Sequence, residues 1–251
     1  MSLTDLLGAM MQSGMAPSSR KRAKNVLGAE SGDLMESLSG LVGGKGGDLG
    51  GILGEVLNSA GRAAGGKQNL AVGGLGALAG ALLGGGTRSM GGALGGGAMA
   101  LIGAIAFKAL QGAGQKTDNV PLGLLQPRNQ AEQQKLEQQT ELVLKAMINA
   151  AKSDGRISED EIQRIVGKLK EAGAQDDDMR YVMSEMQKPI DTYSLMAAAK
   201  GQPELAAELY AASLMAIEVD TTAEKAYLQE LAGGMGLSPE VTRQIDQMVG
   251  L

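Results

Sequence analysis

The sequence predicts an all-α protein: a compact bundle of seven helices over residues 130–251, preceded by a Gly-rich apolar segment resembling a membrane hairpin and by a flexible N-terminal tail. Three observations carry that prediction. From Gln130 onward, apolar residues recur at the three- and four-residue spacing of one helix face, and no stretch alternates as a half-buried strand would. Between Lys67 and Lys108 the only charge is Arg88, in a tract of Gly, Ala, Leu, Ile and Met. Charge also divides the chain: residues 1–128 carry 11 basic and 7 acidic side chains, and residues 129–251 carry 12 and 21, so the two halves face different surroundings. The resulting organisation is a tail over 1–66, an apolar segment over 67–116, a linker over 117–129 and a helical domain over 130–251 that should fold without the tract.

The tail contains three short patterns with helical spacing: Leu3, Leu6, Leu7, Met10 and Met11; then Leu34, Leu38 and Leu41; then Ile52, Leu53, Val56 and Leu57. Helices this short are marginal in water, so they form only against a partner or a membrane surface. The cluster Arg20, Lys21, Arg22 and Lys24 admits two readings, a contact with an anionic leaflet or a solvated loop. No secretory signal is visible in the first residues, where Asp5 precedes any cation.

Arg88 divides the apolar tract into runs from Leu70 to Gly86 and from Met90 to Phe107. Each is near the lower limit for crossing a hydrocarbon core of ~30 Å as a helix. Glycines at four-residue spacing let helix backbones approach closely, and Gly76, Gly80 and Gly84 form such a stripe, matched by Gly92, Gly96 and Ala100 in the second run. This is the pattern of a close-packed hairpin or a self-associating pair. The other reading is a Gly-rich linker, although such linkers carry Ser and charge where this tract carries Leu, Ile and Met. The second run, ending LIGAIAFKAL, is the stronger membrane candidate.

In the acidic half, Gln130 to Lys152 forms the first helix, apolar at Val143, Met147 and Ala150 and stopped at Asp154-Gly155. Ser158 opens the second with Glu161 three residues on, a capping box, and Ile162, Ile165, Val166 and Leu169 are its stripe. Asp176 to Asp178 place negative charge at the start of the third, which Pro189 ends. A short helix follows from Asp191 to Lys200. The next starts at Pro203 and runs through Leu205, Leu209 and Ala212 to Ile217. Thr221 and Glu224 repeat the capping box, and Ser238-Pro239 opens the last helix.

Composition removes several chemistries. Without Cys or His there are no disulfides, thiolate or imidazole metal sites, and no Ser-His-Asp nucleophile. One Phe and four Tyr leave few platforms for stacking bases, so nucleic acid is not an expected partner. Two acidic turns remain, AAKSDGRISEDEI at 150–162 and AIEVDTTAEKAYL at 216–228. The first matches the second half of a calcium loop, but Ala150 and Lys152 stand where that loop needs oxygen ligands. If the turns meet, Asp154, Glu161, Asp220 and Glu224 offer oxygen to calcium or magnesium; otherwise they are caps and turn formers.

The wording AMINAAKSDGRISEDE and PELAAELYAASLMAIEVDTTAEKAYLQELA, with GAIAFKALQ upstream, resembles the YebE-type subfamily of bacterial inner-membrane proteins (domain of unknown function 533) and, over 130–250, the TerB-like fold associated with tellurite resistance. The resemblance implies a compact helical domain whose acidic turns have been suggested to bind divalent metal, at Asp154, Glu161, Asp220 and Glu224 here. The second turn departs from the first, with Thr221 where a Gly follows Asp, and the first 60 residues have no counterpart. The expectation is a non-enzymatic interaction or stress-linked module at the bacterial inner membrane, its C-terminal domain cytoplasmic, with a protein partner or a second copy of itself. The alternative is a soluble protein that self-assembles through the Gly-rich segment.

Overall fold

The computed structural model describes residues 3–13, 21–22, 25, 95–115, 127, 129–155, 157, 159–171 and 176–251. Among them are nine helices and no strand: α1 (Leu3–Ser13), α2 (Gly95–Gly112), α3 (Gln130–Ala151), α4 (Glu159–Glu171), α5 (Asp176–Gln187), α6 (Thr192–Ala199), α7 (Pro203–Ala216), α8 (Thr222–Met235) and α9 (Pro239–Val249). Seven of these lie in 130–251, in the order and near the limits that capping and periodicity predict.

The helix ends follow local chemistry. Asn129 accepts from the Glu132 N–H at 2.9 Å to start α3, and Asp191 accepts from the Ser194 N–H at 3.0 Å to start α6. Proline stands in the first turn of α7 and of α9, where a missing N–H loses no helical bond. Gly236 and Gly250 end α8 and α9 in the left-handed conformation, at φ 74° and 84°. Inside α8, Gly234 lies where a Cβ would run into Met196 of α6, so the missing side chain lets the two helices approach.

The packing centres on α7. Every residue from Leu205 to Ala216 is buried, on all sides of the helix, because α2, α3, α6, α8 and α9 surround it. The sequence stripe through Leu205, Leu209 and Ala212 accounts for only one of those sides. Against α2 pack α7, α1 and α9; α1 in turn lies on α2, α3 and α4.

That arrangement corrects the membrane expectation for the second apolar run. Among the described residues no helix is long and apolar enough to cross a membrane. The glycines, Lys108 and Gln111 dilute the apolar run of α2, while Met99, Ile102, Ile105 and Leu110 are fully buried against other helices of the same chain. The neighbours that lipid would have supplied are α1, α7 and α9. Ala100, on the predicted small-residue stripe, and Ala104 one turn later are half-buried, on the side least covered by these neighbours. Gly96 lies in the first turn of α2, and Gly76, Gly80, Gly84 and Gly92 lie outside the described residues, as does the whole run 70–86.

Candidate functional site

The acidic turn between α7 and α8 is built from its own short-range bonds. Thr221 Oγ1 accepts from the Glu224 N–H at 3.1 Å, and Glu224 Oε2 accepts in return from the N–H groups of Asp220 (3.1 Å) and Thr221 (2.9 Å) and from the Thr221 hydroxyl (2.9 Å). Burial alone would push the Glu224 carboxyl up; the hydrogen bonds from Thr221 and Asp220 outweigh it and hold the group below the usual glutamate range. Asp220 is exposed. Between them and the helix end, Val219 has φ 61°, a left-handed conformation that a β-branched residue adopts only under strain.

A side chain from the far end of the sequence closes this turn. Arg22 is 4% exposed; one guanidinium nitrogen donates to the Leu214 carbonyl in the last turn of α7, and the other donates to the Glu218 carbonyl at 2.8 Å. These carbonyls belong to a helix end and its turn, where backbone acceptors lack helical partners and a cation is favoured. Burial lowers the Arg22 pKa, and the negative charges of Glu218, Glu224 and Asp246 oppose that fall. Asp246, on α9, is itself pushed up by burial, while the Tyr210 hydroxyl donating at 3.1 Å and Arg22 pull it down. The basic cluster around residue 20 therefore sends at least this arginine into the protein, neither to solvent nor to a lipid surface.

The first acidic turn, after α3, is organised differently. Lys152 is buried, and its ammonium donates to the carbonyls of Glu185 (3.0 Å) and Lys188 (2.9 Å) at the end of α5. It occupies the position where a calcium loop would carry an oxygen ligand because the residue caps a neighbouring helix. Lys152→Ala leaves both carbonyls short of a donor and should lower stability by about 1–3 kcal/mol, read as a lower urea midpoint with an unchanged slope. Asp154 is exposed; Glu161 lies in the first turn of α4, its side chain outside the described residues. Among the described residues no three acidic side chains gather as a metal-holding group.

A third feature is a buried acid. Glu208, in the middle of α7, is 1% exposed and its Oε2 has no hydrogen-bond partner. Burial, with Glu204 one turn earlier adding repulsion, pushes its pKa up to about 8. In the sequence PELAAELYAAS nothing marks this glutamate as different from a solvated one, since its burial depends on which helices surround α7. Arg22 carried no local signal either, its partner Leu214 being 192 residues away.

The remaining candidate is the surface that α1 covers. Leu6, Leu7 and Met10 of α1 are fully buried where α1 lies on α2, α3 and α4. Residues 67–249 match the family model described as "Protein of unknown function (DUF533)". The chain is also similar to the "Uncharacterized protein in ampR 5'region" of Yersinia enterocolitica, 30% identical over 112 residues that make up 45% of this chain and 80% of that relative. No solved structure matches. The matched range takes in α2 to α9 and leaves out α1 and Arg22.

Proposed function

We propose, for a chain that belongs to the DUF533 family of proteins of unknown function, a non-enzymatic role as a TerB-like interaction module whose groove between α2, α3 and α4 receives an amphipathic helix. The observation that carries this reading is the seating of α1: Leu6, Leu7 and Met10 are each 0% exposed on helices that follow them by about 90 residues or more in the chain. An 11-residue helix is marginal alone and takes its stability from the surface it covers. Apolar residues at i, i+1 and i+4 set into a groove are the anchors by which proteins capture helical segments of partners. The groove helices fall inside the family range and the occupant falls outside it, which supports reading the groove as the module and α1 as its resident ligand. The YebE-type reading adds a membrane setting, and with Gly95–Gly112 packed among helices that role passes to residues 70–86.

Exchange between the resident helix and an added one tests the reading. In the full chain carrying Leu6→Asp and Met10→Asp, the resident helix loses its anchors and the groove opens. A dye-labelled peptide of residues 1–16 should bind this variant, by fluorescence anisotropy, at least tenfold more tightly than it binds the unaltered chain. A peptide with the same two substitutions should not bind. If the variant keeps its helical circular dichroism and takes no peptide, or if both chains bind equally, the groove is only a piece of core.

A further inference from the structure

We infer that the end of α7, the turn to α8 and the facing side of α9 form a receptor for a single guanidinium group, filled by Arg22 in the free chain and open to the arginine of a competing segment when the N-terminal segment leaves. The receptor offers two backbone carbonyls, Leu214 O and Glu218 O, one to each terminal nitrogen of the planar fork. Around them stand the carboxylates of Glu218, Glu224 and Asp246, drawn from the turn, α8 and α9. A fork of fixed geometry with delocalised charge matches two divergent acceptors in a nearly closed site, whereas an ammonium is a compact point charge that holds its water more tightly.

The receptor is held in shape from behind. Glu224 ties down the N–H groups of Asp220 and Thr221, the Tyr210 hydroxyl holds Asp246, and Val219 takes the left-handed φ between them. Strain at a turn persists where the surroundings over-determine it. Of the four carboxylates that suggested a metal site in the sequence, Glu224 alone faces this cationic side chain, and Glu218 and Asp246, absent from that set, face it as well. Occupancy by an arginine in trans rests on the exchange proposed above; the selectivity of the receptor does not, since α1 sits on α2, α3 and α4 while Arg22 engages the α7–α8 turn and α9.

Chemical rescue tests it in the full chain. Arg22→Ala should melt below the unaltered protein, and 20 mM methylguanidinium should recover at least half of the difference, whereas ammonium and sodium at equal ionic strength should not. Adding Asp246→Asn to Arg22→Ala should abolish the recovery. Arg22→Lys, which keeps the charge, should also melt below the unaltered chain, and it carries the test if Arg22→Ala fails to fold. Equal action of the three cations on Arg22→Ala, or an Arg22→Lys chain that melts with the unaltered one, overturns the guanidinium assignment. Rescue by methylguanidinium in a protein that shows no peptide exchange would keep the receptor and remove the groove reading.

Discussion

Replacing Glu208 by Met should make the protein more stable at pH 9 by roughly 3–5 kcal/mol, and should remove most of the loss of stability that the unaltered chain undergoes between pH 5 and pH 9. The folded protein holds the Glu208 proton to about pH 8, whereas the ordinary glutamate value is 4.5. Between those two values the folded state binds more protons than the unfolded state, so stability falls as pH rises across that window. Each pKa unit corresponds to about 1.4 kcal/mol, and the loss is complete above pH 8. Methionine has nearly the volume of glutamate and no charge to desolvate. Urea unfolding at pH 5, 7 and 9 reads both chains. Parallel pH profiles for the two would mean that Glu208 ionises freely in the folded protein. The carboxyl sits in the one described helix whose residues are buried continuously for three turns, so an ionised Glu208 must either recruit water or loosen α7 from its neighbours.

The second large effect concerns the limits of the folding unit. A fragment of residues 130–251 should show no sigmoidal thermal transition, and extending it to 95–251 should restore one. Met99, Ile102, Ile105 and Leu110 of α2 are fully buried, and their burial contributes on the order of 1.5–3 kcal/mol each. Their sum is comparable to the whole stability of an ordinary domain, ~5–15 kcal/mol. Without α2, the sides of α7 and α9 that it covers face water. In the full chain Ile102→Ala should cost about 2–5 kcal/mol through the lost contact and the cavity left behind. A cooperative melt of the 130–251 fragment, monitored by circular dichroism, would show that the seven C-terminal helices close their own core. The sequence leads to that opposite expectation because each of the seven carries an apolar stripe of its own, and stripes do not reveal how many neighbours a helix needs.

Local chemistry made much of the fold legible. The seven helices over 130–251, the capping box at Thr221 and Glu224, the prolines opening α7 and α9 and the glycines closing α8 and α9 depend on residues within one or two turns of each other, so they can be read from order alone. The amphipathic pattern at Leu3 to Met11 likewise announced a helix, and the need of so short a helix for a partner surface announced that it would be docked. The family match over 67–249 bears out the DUF533 part of the resemblance.

What the tertiary structure decided is the identity of each surface's neighbour. An apolar, Gly-rich helix such as α2 reads the same beside lipid as beside α1, α7 and α9, because both surroundings ask for an uncharged side-chain surface. Arg22 and Lys152 read as ordinary basic residues; only the folded chain brings them to the open carbonyls at the ends of α7 and α5. Glu208 reads as the polar edge of a helical stripe and becomes a buried acid because helices from distant parts of the chain surround α7. Caps and periodicity act over a few residues, where order in the chain and distance in space nearly coincide. Burial and charge pairing act between segments up to 196 residues apart, and for those the packing alone sets which groups meet.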